Sequence, residues 1–318
     1  MKRLLILLLF LASCAQQSRV AEERHWRSAN GRVKVLATTG MINDLVAEIG
    51  GEDVDTIPLI RGELDPHSYE LVKGDDEKFA RADIIFYNGL GLEHSLSLRR
   101  QLEGKLKAIS LADTLLEEDP SLILVIDGQY DPHVWTDLSL WARIVDPVVA
   151  ALSQAEPSKG ALFQERGERL KKKMLDLDHL AFQRLQAIDA TRRYLVTSHD
   201  AFNYFTRRYL RSPGEQDWRR RCRAPEGLAP EAQLSVTDII SVIEHIKEHK
   251  VSVLFPETNV SRDSLKKILS AAGGGVRLSE QPLYGDAMGE GQSYLEMMEH
   301  NISVIAHELN GEYCTKIK

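Results

Sequence analysis

PSKGALFQERGERLKKKMLDLDHLAFQRLQAIDA, residues 157–190, is the stretch that decides how the rest of the chain is organised. It holds no strand-like run, and its only glycines are Gly160 and Gly167. Leu162, Leu170, Met174, Leu177, Leu180 and Leu185 recur at close to helical spacing, as in a helix with one apolar stripe. Pro157 suits a first helical turn, and Lys171, Lys172 and Lys173 are expected to form a solvated face. A helix of about 30 residues would be about 45 Å long, enough to run the height of a two-lobed protein. The segment is therefore expected to be a rigid strut between residues 33–156 and residues 191–318.

Short apolar runs alternate with amphipathic stretches on either side of it. The expected strands are Val33–Ala37, Val54–Leu59, Asp83–Tyr87, Leu122–Ile126 (LILVI), Tyr194–Thr197 and Val251–Phe255. Such nearly continuous runs belong to strands buried on both faces of a parallel sheet. The expected helices include Ile42–Ile49, Leu90–Gly104, Leu138–Gln154, Val236–Glu248 and Ser261–Ala272. This alternation predicts an α/β fold of two lobes with mainly parallel sheets. A length of 318 residues also exceeds what one core usually serves.

The N-terminus reads as an export signal. Met1-Lys2-Arg3 is followed by the apolar run Leu4–Ala12, which is too short to span a bilayer as a helix. The run ends in Leu11-Ala12-Ser13-Cys14, a pattern similar to the lipobox of bacterial lipoproteins, with Cys14 as the lipidated residue. Residues 1–13 are thus expected to be removed, and residues 14–32, polar and without periodicity, to form a flexible tether at a membrane surface. Cys222 and Cys314 then remain in an oxidising compartment, where a disulfide between them is expected. A net charge of −7, from 40 basic and 47 acidic residues, argues against nucleic acid and suits a cationic ligand. The arginine-rich loop around Arg219–Arg223 is expected to be solvated surface.

Three histidines occupy similar settings. His67 lies in LDPHSYE, His133 in DPHVW after the LILVI run, and His199 in TSHDAF after the YLVT run. Ligands collect at the carboxyl ends of parallel strands, so residues placed there can converge. Pro66 and Pro132 stiffen the backbone that presents two of them. Imidazole suits Zn, Fe, Cu and Ni, and an added carboxylate makes Mn more acceptable. Asp286, in LYGDAMG, reads on its own as an ordinary turn residue. Asp65 and Asp131 are expected to cap their local turns, with orientation of the imidazoles as the alternative role.

The stretches GELDPHSYE, DPHVWTD, YLVTSHDAFNYFTRRY, EGLAPEAQLSVTDI, VLFPETNVS and LYGDAMGEGQSYLEMMEHN carry a resemblance over nearly the whole mature chain. In order and spacing they resemble the metal-binding solute-binding proteins of ABC importers, the TroA/ZnuA-like group. The resemblance implies two α/β lobes bridged by one long helix. It also implies a metal ion held by His67, His133, His199 and Asp286, and delivery of that ion to a membrane permease and its ATPase by a monomeric lipoprotein, periplasmic or cell-surface. It departs from zinc specialists, because residues 113–129 lack a histidine-rich loop, and from manganese specialists, which place glutamate where His199 stands. The implied ion stays open among Mn, Zn and Fe.

Two other readings compete. His245-Ile246-Lys247-Glu248-His249 fits the H-x-x-E-H pattern of a secreted zinc hydrolase, with Glu248 as its catalytic acid–base group. The apolar residues of Val236–Glu248 form a stripe that leaves His245 and His249 as exposed polar residues, so the pattern is expected to be accidental. Ser198 lacks a G-x-S-x-G elbow. No enzyme is therefore expected. A surface adhesin or metal-chelate receptor, with a wider aromatic or basic cleft, is the other alternative.

Overall fold

The computed structural model describes residues 21–230, 235–289 and 291–310. The expected signal peptide, the lipidation site Cys14 and Cys314 lie outside these residues.

Strands β1 (Val33–Ala37), β2 (Val54–Pro58), β3 (Ile84–Tyr87) and β4 (Ala108–Ser110) form an all-parallel sheet of order β2–β1–β3–β4. Helix α1 (Gly40–Gly50) follows β1 and buries Met41, Ile42, Leu45, Val46 and Ile49. Helices α2 (Asp75–Arg81), α3 (Leu96–Leu102) and α4 (Ala112–Glu118) make the remaining local connections. The expected helix 90–104 is much shorter, because Gly89, Leu90 and Gly91 take φ of 83°, 51° and 86°, which no right-handed helix admits.

The LILVI run is not a strand of this sheet. Its end forms β5 (Val125–Ile126), paired antiparallel with β6 (Gln129–Tyr130). Asp127 and Gly128 both have positive φ, the geometry a two-residue hairpin turn favours. His133 therefore follows a hairpin, not a parallel strand.

Helix α5 (Leu138–Ala155) is capped by Asp137, whose carboxylate accepts from the N–H groups of Ser139 and Leu140. The strut is helix α6 (Gly160–Gln186), 27 residues and about 40 Å long. A 3-10 turn over Pro157–Lys159 precedes it. Its buried face runs through Phe163, Gly167, Leu170, Met174, Asp178, Ala181 and Leu185, whereas Leu180, read as part of the stripe, is exposed. Buried Asp178 ties the strut to the second lobe, accepting from Arg208 Nε and Tyr209 Oη, both at 2.9 Å.

In that lobe, β7 (Leu195–Val196) pairs parallel with β8 (Cys222–Arg223), and β9 (Val253–Leu254) with β10 (Arg277–Leu278). A parallel bridge between Thr197 and Phe255 joins the two pairs into one layer. Helices α7 (Val236–His249) and α8 (Asp263–Ala272) cover it through Val242, Ile246, Leu265 and Ile268. Helix α9 (Tyr294–Asn310) returns against α6 and α1. One apolar core extends from Val35 and Ile42 through α5 and α6 to Tyr209, Phe255 and Ile305, so it passes through both lobes.

Three further sequence expectations change. Residues 21–26 are helical rather than tether, and Trp26 is buried, donating to the carbonyls of Val35 and Asp55 at 3.1 Å. Arg221 is not solvated: it is buried, ion-paired with Glu215, and donates to Ala190 O at 2.8 Å, while Arg219, Arg220 and Arg223 are exposed. His245 is buried against the ring of Tyr194, and His249 stacks on that same ring at 4.2 Å, so neither is the exposed polar residue expected. Cys222 is buried, and Cys314, its expected disulfide partner, lies outside the described residues.

Candidate metal centre

His67, His133, His199 and Asp286 come together in one buried cluster. Each offers one ligand atom, and those atoms lie within 4.8 Å of one another, the only such group of three or more among the described residues. All four side chains are at most 3% exposed. His67 Nε2 stands 3.3 Å from His133 Nε2, and Asp286 lies 3.3 Å from His133 Nε2 and 3.0 Å from His199 Nε2. A tetrahedral ion with bonds of about 2.0–2.1 Å separates its donors by about 3.3 Å, close to these three separations.

Local structure aims each group. Asp65 accepts from His67 N at 2.9 Å and from Ser68 Oγ at 2.7 Å, capping the turn as expected. Asp131 does both of the jobs considered for it. It accepts from His133 N at 3.0 Å, and the same oxygen lies 2.7 Å from His133 Nδ1. Asn88, at the end of β3, donates to Pro132 O at 2.9 Å and fastens the second Asp-Pro-His to the first sheet. His199 follows β7, where its N–H and that of Ser198 donate to Glu257 Oε1 at 2.9 Å. Asp286 is approached by Asn259 Nδ2 at 3.4 Å. Trp135 spans the seam between the lobes: its Nε1 donates to Gly285 O at 2.9 Å, and its carbonyl accepts from Tyr294 Oη at 2.7 Å.

The electrostatics follow from burial and from these carboxylates. Desolvation pushes His67 down to about 3, so it is neutral at physiological pH. Burial also opposes charge on His133, but Asp131 and Asp286 outweigh it and raise the ring to about 9. His199 is raised well above its ordinary value in the same way, with Asp286 and Glu257 outweighing burial. Burial would raise Asp286, yet His199 and His133 hold it well below the usual carboxylate range. The carboxylates thus draw positive charge onto these rings, as protons before an ion binds. Of the ligand atoms, His199 Nε2 and Asp286 Oδ1 are buried without a well-aligned hydrogen bond. Buried polar atoms are rarely left so, and donors converging on one point fit a cation.

Residues 35–308 match the family model ZnuA, described as zinc-uptake complex component A, periplasmic. The chain belongs to this family. It is 43% identical to metal-binding protein YtgA of Chlamydia muridarum (strain MoPn / Nigg) over 96% of this chain and 94% of that protein. It is 31% identical to manganese-binding lipoprotein MntA of Bacillus subtilis (strain 168) over 89% of this chain and 92% of that one. It superposes on the crystal structure of Fe(III)-bound YtgA from Chlamydia trachomatis with a TM-score of 0.84 at 44% identity, covering 86% of this chain and 97% of that one. Members of the family are metal-binding substrate-binding proteins of ABC transporters, and the expected two-lobed α/β fold with its long helix holds.

Sequence reading passed over Glu257, Asn88 and Trp135. Glu257 carried a usable signal, since it follows Pro256 at the end of an apolar run, as the histidines of the two Asp-Pro-His motifs follow proline. Asn88 and Trp135 carried none, because their roles depend on partners distant in sequence. The H-x-x-E-H pattern assembles no comparable group among the described residues.

Proposed function

We propose that the chain captures one transition-metal ion, Mn, Zn or Fe, through His67, His133, His199 and Asp286 and delivers it to a membrane permease. The observation that carries this reading is the buried cluster itself, four convergent donors whose ligand atoms lie within 4.8 Å of one another. His67 and His133 come from residues 33–156, His199 and Asp286 from residues 191–318, so a bound ion ties two lobes that the strut at 157–190 holds. A groove lined by Thr39, Asn43, Arg61, Asp286 and Met288 reaches the cluster from outside. Four protein donors complete a tetrahedral shell and leave no position for an activated water, which suits a carrier rather than a hydrolase. Lipidation of Cys14 after removal of residues 1–13 would tether the monomer beside its permease and ATPase. Among the described residues no helix is long and apolar enough to cross a membrane.

Metal titration of the purified chain, monitored by competition with a chromophoric chelator, tests the assignment. Wild type is expected to hold one ion per chain, and the double variant His67→Ala, His199→Ala to hold none against the same chelator. Equal retention by both sinks the site assignment. Labelling with a radioactive fatty acid, lost in Cys14→Ser, tests the anchor.

A further inference from the structure

Two of the cluster's imidazoles have a buried carboxylate directly behind them, and the one behind His199, Glu257, comes from the segment that follows β9. Glu257 is 1% exposed. Its Oε1 accepts from the N–H groups of Ser198 and His199 at 2.9 Å, its Oε2 lies 2.8 Å from His199 Nδ1, and its own N–H donates to Ser198 Oγ at 3.2 Å. The groups within hydrogen-bond distance of the carboxylate are two backbone N–H groups and a ring nitrogen able to carry a proton, the contacts of an anion. Asp131 is similar, with His133 N at 3.0 Å, His133 Nδ1 at 2.7 Å and Asn203 Nδ2 at 3.0 Å. With a proton on each Nδ1, both rings turn an Nε2 lone pair toward the ion.

The charge balance then has a consequence. Three neutral imidazoles, Asp286, Asp131 and Glu257 together bring three negative charges to within one ring of the ion. A divalent ion leaves one of them uncompensated in a buried site, whereas a trivalent ion balances all three, and unbalanced buried charge is unfavourable. Resting on the metal-receptor reading above, we propose that Glu257 is a positioning and specificity-determining residue. It fixes the His199 ring with Nε2 toward the ion, and its charge shifts the site's preference toward ions of higher charge. Gly285 leaves the room for it: a Cβ there would stand 2.2 Å from Glu257 Oε2.

Zinc(II) and gallium(III), both redox-silent, separate charge from ligation. Affinities of wild type, Glu257→Gln and Ser198→Ala are measured for each ion against nitrilotriacetate. Glu257→Gln keeps an oxygen for the two backbone donors but removes the charge. It is expected to weaken gallium(III) binding by at least about tenfold more than zinc(II) binding, because the attraction lost scales with ion charge. Ser198→Ala loosens the same network without changing charge and is expected to weaken both ions equally. Equal losses in Glu257→Gln, or none, overturn the assignment while leaving the receptor reading intact. A wild type that holds neither ion overturns both. Nitrogen-15 NMR of the zinc-loaded wild type gives a readout that needs no variant. His199 Nδ1 is expected to carry a proton shifted far downfield by its carboxylate partner, and an Nδ1 proton that exchanges freely with solvent contradicts the positioning role.

Discussion

Gly285 has no room for a side chain. Besides its conflict with Glu257, a Cβ at this position would stand 3.2 Å from His199 Cε1, and the residue immediately precedes Asp286. Gly285→Ala is therefore expected to displace Glu257 and His199, lowering metal affinity by about 10–100-fold, as loss of a supporting contact does. Chelator competition measures this, and circular dichroism shows that the fold persists. Protons compete for the same site. His133 is raised to about 9 and His199 well above its ordinary value, so at pH 7 an incoming ion must expel their protons. Affinity should rise with pH up to about 9, by about tenfold per unit for each proton displaced, and flatten for His133 above that. Calorimetry in buffers of different ionisation enthalpy counts the protons, and a count of zero at pH 7 contradicts the assignment. The raised His133 also means that, before any ion binds, the His133–carboxylate contribution to stability is complete below pH 6.5 and is lost as pH rises through 9. Of these groups, the histidines were legible as residue types in a repeated context. Asp286 was not, since nothing local distinguishes it from a turn aspartate. Its role exists only because His133 and His199 meet it from far along the chain.

Helices α5 and α6 approach closely because residue 167 has no side chain. A Cβ on Gly167 would lie 2.6 Å from Val149 Cγ2 and 3.1 Å from Val145 Cγ1, both side chains of α5. Gly167→Ala gains helix propensity but overpacks this crossing, and a net loss of about 1–3 kcal/mol is expected, measured by denaturant melts. Equal or higher stability would mean that the two helices can separate freely. At this scale the sequence was most readable where burial is two-sided. The runs of β1, β2 and β3 contain Leu36, Ile57 and Phe86, all fully buried, and alternation with helices gave their parallel order. It was least readable where strands are short. β4 is a half-buried edge strand with no apolar run, and β7 to β10 are two residues each, held as much by isolated bridges as by ladders. The LILVI run misled because apolar content reports burial, not partner: Leu122 and Leu124 pack on the main core while Asp127-Gly128 folds the chain back.

The continuous core sets how the whole molecule can move. The strut, α5 and α9 share apolar contacts with both parallel layers, so the lobes cannot swing apart without exposing that core. Release of an ion is expected to involve a small tilt, with the outer cluster around α7 and α8 carried as a unit. Small-angle scattering should accordingly give nearly the same radius of gyration with and without metal, and a change of several ångströms would rule out this rigidity. The seam itself offers one more property. Trp135, one of four tryptophans in the chain, holds its indole 5.2 Å from the His133 ring while bonding across to Gly285. An open-shell ion such as iron or manganese held by that ring drains the excited state of the indole, whereas closed-shell zinc leaves it emitting. The chain therefore carries its own lamp beside the cargo, and the colourless difference between zinc and its rivals becomes a difference in brightness.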